Sequence, residues 1–267
     1  MNATWNKARV LFVTRFAEMA EYRAEVIIWM LSGTLSIVMM LVWMAQAQGR
    51  PDGSINGYSR AEFATYFIST WVVSQLLVVW VAWELDFEIR QGTLSPKLLR
   101  PLDPMWGHYA AHVSERVVRI GPMLVLVGLM TWLSGARFTS DFWAYPAAFG
   151  LIVLGFSARF LWEYVIGLLA FWTESSTSFQ ELVWLLYAAL GGLFAPLTFY
   201  PIWVQDIARW TPFPYMLGLP AQLLAGKATP AQAGQGALIL GAWLIVFWFL
   251  RLVVWRVGLK KYGAVGA

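Results

Sequence analysis

The sequence contains no cysteine, only two histidines, and charged residues at only 13% of its 267 positions. Without cysteine, a disulfide framework, a thiolate metal site and a thiol nucleophile are excluded. The G-x-x-x-x-G-K-[ST] loop that cradles nucleotide phosphates is absent, because the nearest match, Gly226-Lys227-Ala228, lacks the hydroxyl residue and the upstream glycine. Neither H-E-x-x-H nor G-x-S-x-G occurs, which disfavours a membrane protease or esterase. The sequence therefore predicts no enzyme activity, metal or cofactor on this chain.

Long hydrophobic runs, by contrast, are abundant. Hydrophobic residues make up 59% of the chain and the mean hydropathy is +0.59, well above that of ordinary soluble domains. A helix needs about 20 apolar residues to cross the hydrocarbon core of a bilayer. Uncharged runs of about that length occupy residues 26–49, 63–83, 120–136, 182–205 and 228–250. A further apolar stretch, 142–173, is interrupted by Arg159 and Glu163.

These runs predict an all-α membrane protein, with residues 1–267 forming a single transmembrane domain of six membrane-spanning helices. The predicted spans are 24–49, 62–90, 115–136, 142–173, 179–199 and 228–256. Residues 2–23 carry several charges and lack a clean apolar core, so a signal peptide is not expected. They predict an amphipathic helix in the headgroup plane, with Phe12 and Phe16 on its apolar side. This helix would anchor the chain or also dock a cytoplasmic partner.

The distribution of basic residues predicts the orientation, because Lys and Arg are retained on the cytoplasmic side of a membrane. With the N-terminus inside, thirteen of the nineteen Lys and Arg residues lie on the cytoplasmic side, five lie opposite and Arg159 lies within a span. Both termini are therefore predicted to be cytoplasmic. The formal net charge of +4 follows from this topology, and no basic face suited to nucleic acid is expected.

The segment WELDFEIRQGTLSPKLLRPLDP, residues 83–104, separates the second and third predicted spans. Gly92 can end the preceding helix in the left-handed conformation, Thr93 or Ser95 can cap a new helix, and Pro96 fits its first turn. A short helix is therefore predicted at 93–102. One side would carry Leu94, Leu98, Leu99 and Leu102, and the outward side Lys97 and Arg100. This helix would contact a soluble subunit, or alternatively form a solvated turn.

A second unusual connection runs from Phe194 to Gly234 and contains six prolines. They are Pro196, Pro201, Pro212, Pro214, Pro220 and Pro230. Each proline removes a backbone donor, so the segment cannot form one straight helix, and irregular backbone at membrane depth requires cover from protein or a water-filled cavity. We expect short helices near 201–210 and 214–225 that re-enter the outer leaflet within 200–226. An ordinary aromatic loop at the interface is the alternative.

Arg159 and Glu163 require an explanation because a lone charge in the bilayer is costly. Their spacing of four residues allows an ion pair within one helix, and alternatively Arg159 lines the route of an anionic or polar substrate. His108, His112 and Glu115 share one helix face and could hold a metal, although interfacial polar side chains are the simpler interpretation.

Seventeen tryptophans predict interfacial belts and helix packing. Six aromatic residues of the second and fifth spans are candidates for an apolar cavity lined by rings. They are Trp71, Trp80, Trp83, Trp184, Tyr187 and Phe194. For each of them, packing in the core is the alternative to contact with a substrate.

Two motifs resemble those of the ABC-2 type permeases of ABC transporters, in particular permeases of about this length. The first is Ile89-Arg90-x-Gly92-x-Leu94-x-x-x-Leu98-Leu99-Arg100-Pro101-Leu102. The second is Pro196-Leu197 followed by Pro201-x-Trp203, Pro212-Phe213-x-Tyr215 and Pro220. The resemblance extends over essentially the whole chain.

The resemblance implies an N-terminal connecting helix, six spans, a coupling helix at about Leu94 to Leu102 and re-entrant helices between Tyr200 and Leu224. It implies a dimer with an identical or related permease, carried on two cytoplasmic ATPase subunits that hold ATP and Mg²⁺. The implied function is export of an amphipathic or hydrophobic compound across a bacterial cytoplasmic membrane. A secondary transporter or a non-transporting membrane scaffold is the alternative. A secondary transporter should have discontinuous helices in both halves, and the sequence predicts one only in the C-terminal half.

Overall fold

The structure, a computed structural model, describes residues 9–10, 12–14, 16–17, 28, 33–173 and 177–265. Every described residue from 9 to 17 is helical, but most of the predicted interfacial helix at 2–23 lies outside the described residues. Ten helices follow in the described part of the chain. They are α1 (Leu35–Gln48), α2 (Arg60–Leu77), α3 (Val81–Arg90), α4 (Ser95–Leu98), α5 (Pro104–Ser134), α6 (Ala144–Leu168), α7 (Thr177–Gly191), α8 (Ile202–Arg209), α9 (Leu219–Leu224) and α10 (Pro230–Val265).

Shorter elements complete the chain. Two-residue strands, β1 (Ser54–Ile55) and β2 (Tyr58–Ser59), form an antiparallel hairpin before α2. A 3₁₀ turn, Leu169–Phe171, extends α6, and another covers Leu197–Phe199. A π-helical turn, Pro214–Gly218, leads directly into α9.

Four helical stretches in the described residues are long and apolar enough to cross a membrane. They are Arg60–Arg90, Pro104–Ser134, Ala144–Phe171 and Pro230–Tyr262. The apolar helices Leu35–Gln48 and Phe179–Gly191 are shorter. The predicted all-α membrane class therefore fits the structure, and the count of six crossings stays a prediction.

Local sequence signals position the ends of the long helices. Ser59 and Glu62 form a capping box at the start of α2, in which the Ser59 amide donates to Glu62 Oε2 at 2.7 Å. At the start of α5, Asp103 Oδ1 accepts from the Met105 amide at 2.9 Å, and Pro104 occupies the first turn. This cap explains why α5 begins eleven residues before the predicted start at 115.

The core lies around α6, which packs against α10, α3 and α9. Burial within the chain separates the four long stretches into two classes. In the most apolar 18 residues of each stretch, the buried share is 72% for Arg60–Arg90 and 78% for Ala144–Phe171. For α5 and α10 the buried share is only 11%. The inner helices therefore hold the fold together, and α5 and α10 offer apolar surface to lipid or protein.

Candidate functional site

The connection between α3 and α5, residues 91–103, is fixed to the helix bundle by its first leucine. Gly92 has a φ of +72°, the left-handed conformation that the sequence predicts at the end of a helix. Leu94 is fully buried, and Leu98 packs against the same core cluster. Helix α4 is a single turn with Pro96 at its start, and its N-cap residue, Leu94, makes no side-chain hydrogen bond to the helix. The predicted caps, Thr93 and Ser95, are therefore not used.

Polar contacts tie the same connection to three helices. Lys97 pairs with Glu88 on α3, and the Ser95 hydroxyl lies 2.9 Å from that of Tyr262 on α10. The Glu88 carboxylate is also 3.3 Å from Nε2 of His108 on α5. Lys97 and Ser95 therefore connect α4 directly to α3 and α10.

Both ends of the connection are held by arginines. Arg90 donates to Asp86 at 2.7 Å and to the carbonyl of Thr173, beyond α6, at 2.9 Å. Arg251 on α10 pairs with Asp103, the residue that caps α5. The two ends of the predicted contact region are therefore fixed to the helix bundle.

The outward surface differs from the predicted one. Leu99 is 88% exposed and Leu102 is also exposed, so the four leucines do not share a buried side. Lys97 is held by Glu88 instead of pointing outward, whereas Arg100 is exposed. The reason is that α4 is only one turn long, so Leu94 and Leu98 align while the next residue points away.

The long stretch from Arg60 to Arg90 is broken at residues 78–80, which are not helical. Side chains of α5 satisfy the backbone groups at the break. Arg116 Nε donates to the carbonyl of Leu76 at 3.0 Å, and the amide of Trp80 donates to Nε2 of His112 at 3.0 Å. The expectation that only the C-terminal half contains a discontinuous helix is therefore wrong.

These bonds also identify the charge state of His112. Its Nδ1 lies 2.8 Å from the His108 carbonyl, which can only accept, while its Nε2 faces an amide, which can only donate. His112 is therefore a neutral imidazole with the proton on Nδ1. Both ring nitrogens are used, and Glu115 binds Arg119, so these side chains do not converge on a metal. The described residues contain no group of three or more suitable side chains that could hold a metal ion.

A cavity of about 380 Å³ lies beside the break. Three of the six predicted ring residues line it: Trp80, Trp184 and Tyr187. The cavity is more polar than predicted, because polar side chains from four helices also line it. They are Ser36, Ser74, Gln75, Arg119 and Arg159.

The other three predicted ring residues lie elsewhere. Trp71 is 1% exposed and packs with Met123 in a separate cluster. Trp83 is half exposed on α3. Phe194 is half-buried, and its carbonyl accepts from Nε1 of Trp43 at 2.9 Å. For these three residues, the structure favours packing or surface roles over contact with the cavity.

Arg159 and Glu163 form the ion pair that their spacing allows, with Nε 3.0 Å from Oε1. Gln180 on α7 donates to the other carboxylate oxygen at 3.2 Å. The Arg159 guanidinium lies 4.4 Å from the ring centroid of Tyr187, a cation–π distance. Arg159 thus joins α6 to α7 and also borders the cavity.

The proline-rich segment forms helices near the predicted positions, at Ile202–Arg209 and Pro214–Leu224. Pro196 and Pro201 precede helical turns, and Pro220 lies in the first turn of α9. Pro212 accepts the Met216 amide at 3.1 Å, and the Tyr215 hydroxyl donates to the Arg209 carbonyl at 3.1 Å. Trp203 is 63% exposed. Re-entry of these helices into a bilayer stays a prediction.

Lys227 fastens the end of this segment to the start of α2. Its Nζ lies 2.5 Å from Glu62 Oε1, 2.9 Å from the Gly57 carbonyl and 5.2 Å from the Tyr58 ring centroid. Burial, with a smaller contribution from the Glu62 carboxylate, raises the pKa of Tyr58 to about 12. Lys227 therefore faces a neutral phenol at physiological pH.

Comparison with known proteins gives one assignment. No curated protein and no solved structure matches the chain significantly. The family model described as "ABC-2 family transporter protein" matches residues 24–266, which include the braced connection, the broken helix and the proline-rich segment. The chain therefore belongs to the ABC-2 family of transporter proteins, as a multi-pass membrane component of a transport system.

Proposed function

We propose that the chain is the membrane-spanning subunit of an ATP-driven exporter that moves an amphipathic or hydrophobic compound out of the cytoplasm. ATP and Mg²⁺ are held by two separate cytoplasmic ATPase subunits, and a second permease, identical or related, completes the complex. The chain crosses a bacterial cytoplasmic membrane six times, with both termini in the cytoplasm. Membership of the ABC-2 family supports this proposal, since its members normally work with ABC ATPases.

The connection at residues 91–103 carries the proposal. It presents an exposed leucine, Leu99, and an exposed arginine, Arg100, on a turn that Lys97 fastens to α3 and Ser95 fastens to α10. An exposed apolar side chain on a rigid base suits a contact with another protein. Closure of the ATPase pair would displace this turn and the helices fastened to it as a rigid body.

A crosslinking experiment tests this assignment. The chain has no cysteine, so Leu99→Cys introduces one reactive thiol on the exposed turn. In inverted native vesicles, a thiol-directed photocrosslinker at this position should capture a polypeptide that is labelled by 8-azido-ATP. Trp210→Cys, at another highly exposed position, is the matched control and should capture no such polypeptide. If Leu99→Cys reacts fully with the reagent and captures no nucleotide-binding protein, the proposal is wrong.

A secondary transporter is the second candidate, and the break at residues 78–80 favours it. Together with the irregular segment between α7 and α10, this break gives a discontinuity in each half of the chain. The two candidates differ in their energy source. Transport that stops in vesicles depleted of ATP but persists without an ion gradient supports the ATP-driven assignment, and the reverse result supports the secondary transporter.

A further inference from the structure

We propose that the cavity beside the helix break binds an anionic amphiphile, with the anionic group on Arg119 and Arg159 and the apolar body against Trp80, Trp184 and Tyr187. This inference rests on the proposed transport function and names the class of compound. The cavity volume of about 380 Å³ lies within the usual range for small-molecule sites. It accommodates one ring system or acyl segment with its headgroup.

The charges around the cavity are unequal. Arg116, Arg119 and Arg159 contribute three positive charges, and Glu115 and Glu163 contribute two negative ones through the observed ion pairs. Arg119 and Arg159 line the cavity, whereas neither Glu115 nor Glu163 is among its lining residues. The cluster of these five residues therefore carries one excess positive charge, and its cationic side faces the cavity.

The histidine beside this cluster does not change the balance. His112 is neutral, since its two nitrogens face a carbonyl acceptor and an amide donor. The next carboxylate on α3, Glu84, lies 2.8 Å from Nδ1 of His108 and is absent from the cavity lining. The excess positive charge thus remains with the five-residue cluster, of which Arg119 and Arg159 line the cavity.

Both arginines are held in place by neighbouring side chains, and each of them contacts two different residues. Arg119 donates to Glu115 and, through Nη1, to Gln75 at 2.8 Å, and it is 1% exposed. Arg159 donates through Nε to Glu163 and stacks on Tyr187. A guanidinium has five N–H donors in a planar fork that matches carboxylate, sulfonate and phosphate oxygens. A pair of such groups on the wall of a cavity should select an anion over a neutral analogue.

The aromatic side of the cavity supplies the apolar contact. Trp80 is placed on the cavity by the break, because the helix from Arg60 would otherwise continue past it. Trp184 is 45% exposed on α7, beside Tyr187 one helical turn away. An indole and a phenol ring offer flat apolar faces to a ring or an acyl chain.

Equilibrium binding of two nearly isosteric probes tests the proposal. The full-length chain is placed in nanodiscs of phosphatidylcholine, and the Kd is measured for naphthalene-2-sulfonate and for naphthalene-2-sulfonamide, which is neutral at pH 7. The wild type should bind the sulfonate about tenfold or more tightly than the sulfonamide, as expected for hydrogen bonds to a charged group. Equal Kd values for the two probes would overturn the proposal.

Variants separate the anion site from a purely structural ion pair. Arg159→Gln alone leaves Glu163 buried without its partner and can fail to fold, so the double variant Arg159→Gln/Glu163→Gln removes both charges together. The double variant should lose most of the preference for the sulfonate, and Glu163→Gln should keep or increase it. Arg209→Gln, at a well-exposed position, should leave it unchanged. If the double variant folds and retains the full preference, Arg159 has only a structural role.

A last comparison distinguishes a lipid headgroup from a soluble amphiphile as the natural source of the anion. The same assay can also be interpreted independently of the ATPase assignment. Adding phosphatidylglycerol to the nanodiscs should weaken binding of the sulfonate if the natural occupant is a lipid headgroup, and should leave the Kd unchanged if it is a soluble amphiphile. Either result keeps the anion site. The assay contains no ATPase. If the wild type shows no preference for the sulfonate while Leu99→Cys captures a nucleotide-binding protein, the proposed substrate class is wrong and the ATP-driven assignment stands.

Discussion

Gly167 lies where α6 packs tightly against α3. A Cβ atom at this position would lie 2.9 Å from Cβ of Leu85 and 3.0 Å from the Cα of Ala82. The second contact is with backbone, which cannot move aside as a flexible side chain can. The close approach keeps α3, and the connection that follows it, against the central helix.

We therefore predict that Gly167→Ala lowers the free energy of unfolding by about 1–3 kcal/mol, since the added methyl group overpacks the crossing. Thermal unfolding of the purified protein in detergent measures the effect. Gly150→Ala on the same helix is the control, because a Cβ there meets nothing within 4 Å. The control should be neutral or stabilise by up to about 1 kcal/mol, through the higher helix propensity of alanine. Equal behaviour of the two variants would contradict the close crossing.

For individual residues, the sequence predicts some side-chain contacts and not others. The spacing of Arg159 and Glu163 allows their ion pair, because both residues lie on one helix. Arg116 and Arg119 are assigned by charge counting to the cytoplasmic connection, yet both are buried in α5 against residues of α2. Their partners on α2, Leu76 and Gln75, are 40 and 44 positions away in the chain, and spacing along one helix cannot reveal such contacts.

Among the elements, the interruption at residues 78–80 has no sequence signal. Val78, Val79 and Trp80 include neither proline nor glycine, the usual causes of a break. The Trp80 amide and the Leu76 carbonyl at the break bond to His112 and Arg116 on another helix. Tertiary contacts therefore offset the loss of helical hydrogen bonds, and periodicity alone predicts one continuous span. The helices near 201–210 and 214–225 were easier to predict, because prolines limit where a helix can begin.

We predict that His112→Phe destabilises the protein by about 1–3 kcal/mol, because the half-buried amide of Trp80 would lose the acceptor that His112 provides. The ring keeps its approximate volume, so the change removes the hydrogen bonds of His112 to the Trp80 amide and the His108 carbonyl with little change in packing. Thermal unfolding in detergent provides the measurement.

Tyr109→Phe, three residues earlier on α5, is the matched control. It removes a hydrogen bond to the Ser157 hydroxyl, which also donates to the Val153 carbonyl at 2.9 Å and therefore keeps a partner. We expect the control to cost less than His112→Phe. A larger loss in Tyr109→Phe would mean that His112 does not stabilise the break.

For the whole molecule, hydropathy predicts membrane helices well and their number less securely. The described part of α1 has 14 residues and α7 has 15, lengths of about 21–23 Å at the helical rise, short of the roughly 30 Å hydrocarbon core. A full crossing by α1 needs residues before Leu35, and a crossing by α7 needs the irregular residues that follow Gly191. The uncharged runs 26–49 and 182–205 include both extensions, which is why six crossings are predicted.

Single cysteines decide between six crossings and four, because the natural chain has none. With six crossings, a membrane-impermeant maleimide should label Asp52→Cys, Asp141→Cys and Asp206→Cys in intact cells. It should label Lys7→Cys, Leu99→Cys and Lys261→Cys only after permeabilisation. If α7 does not cross, Asp206→Cys should be labelled only after permeabilisation, and Lys261→Cys should be labelled in intact cells. If α1 does not cross, only Lys7→Cys changes. Each helix thus has its own diagnostic position, and the two tests are independent because the spans between them are fixed by Asp52, Leu99 and Asp141.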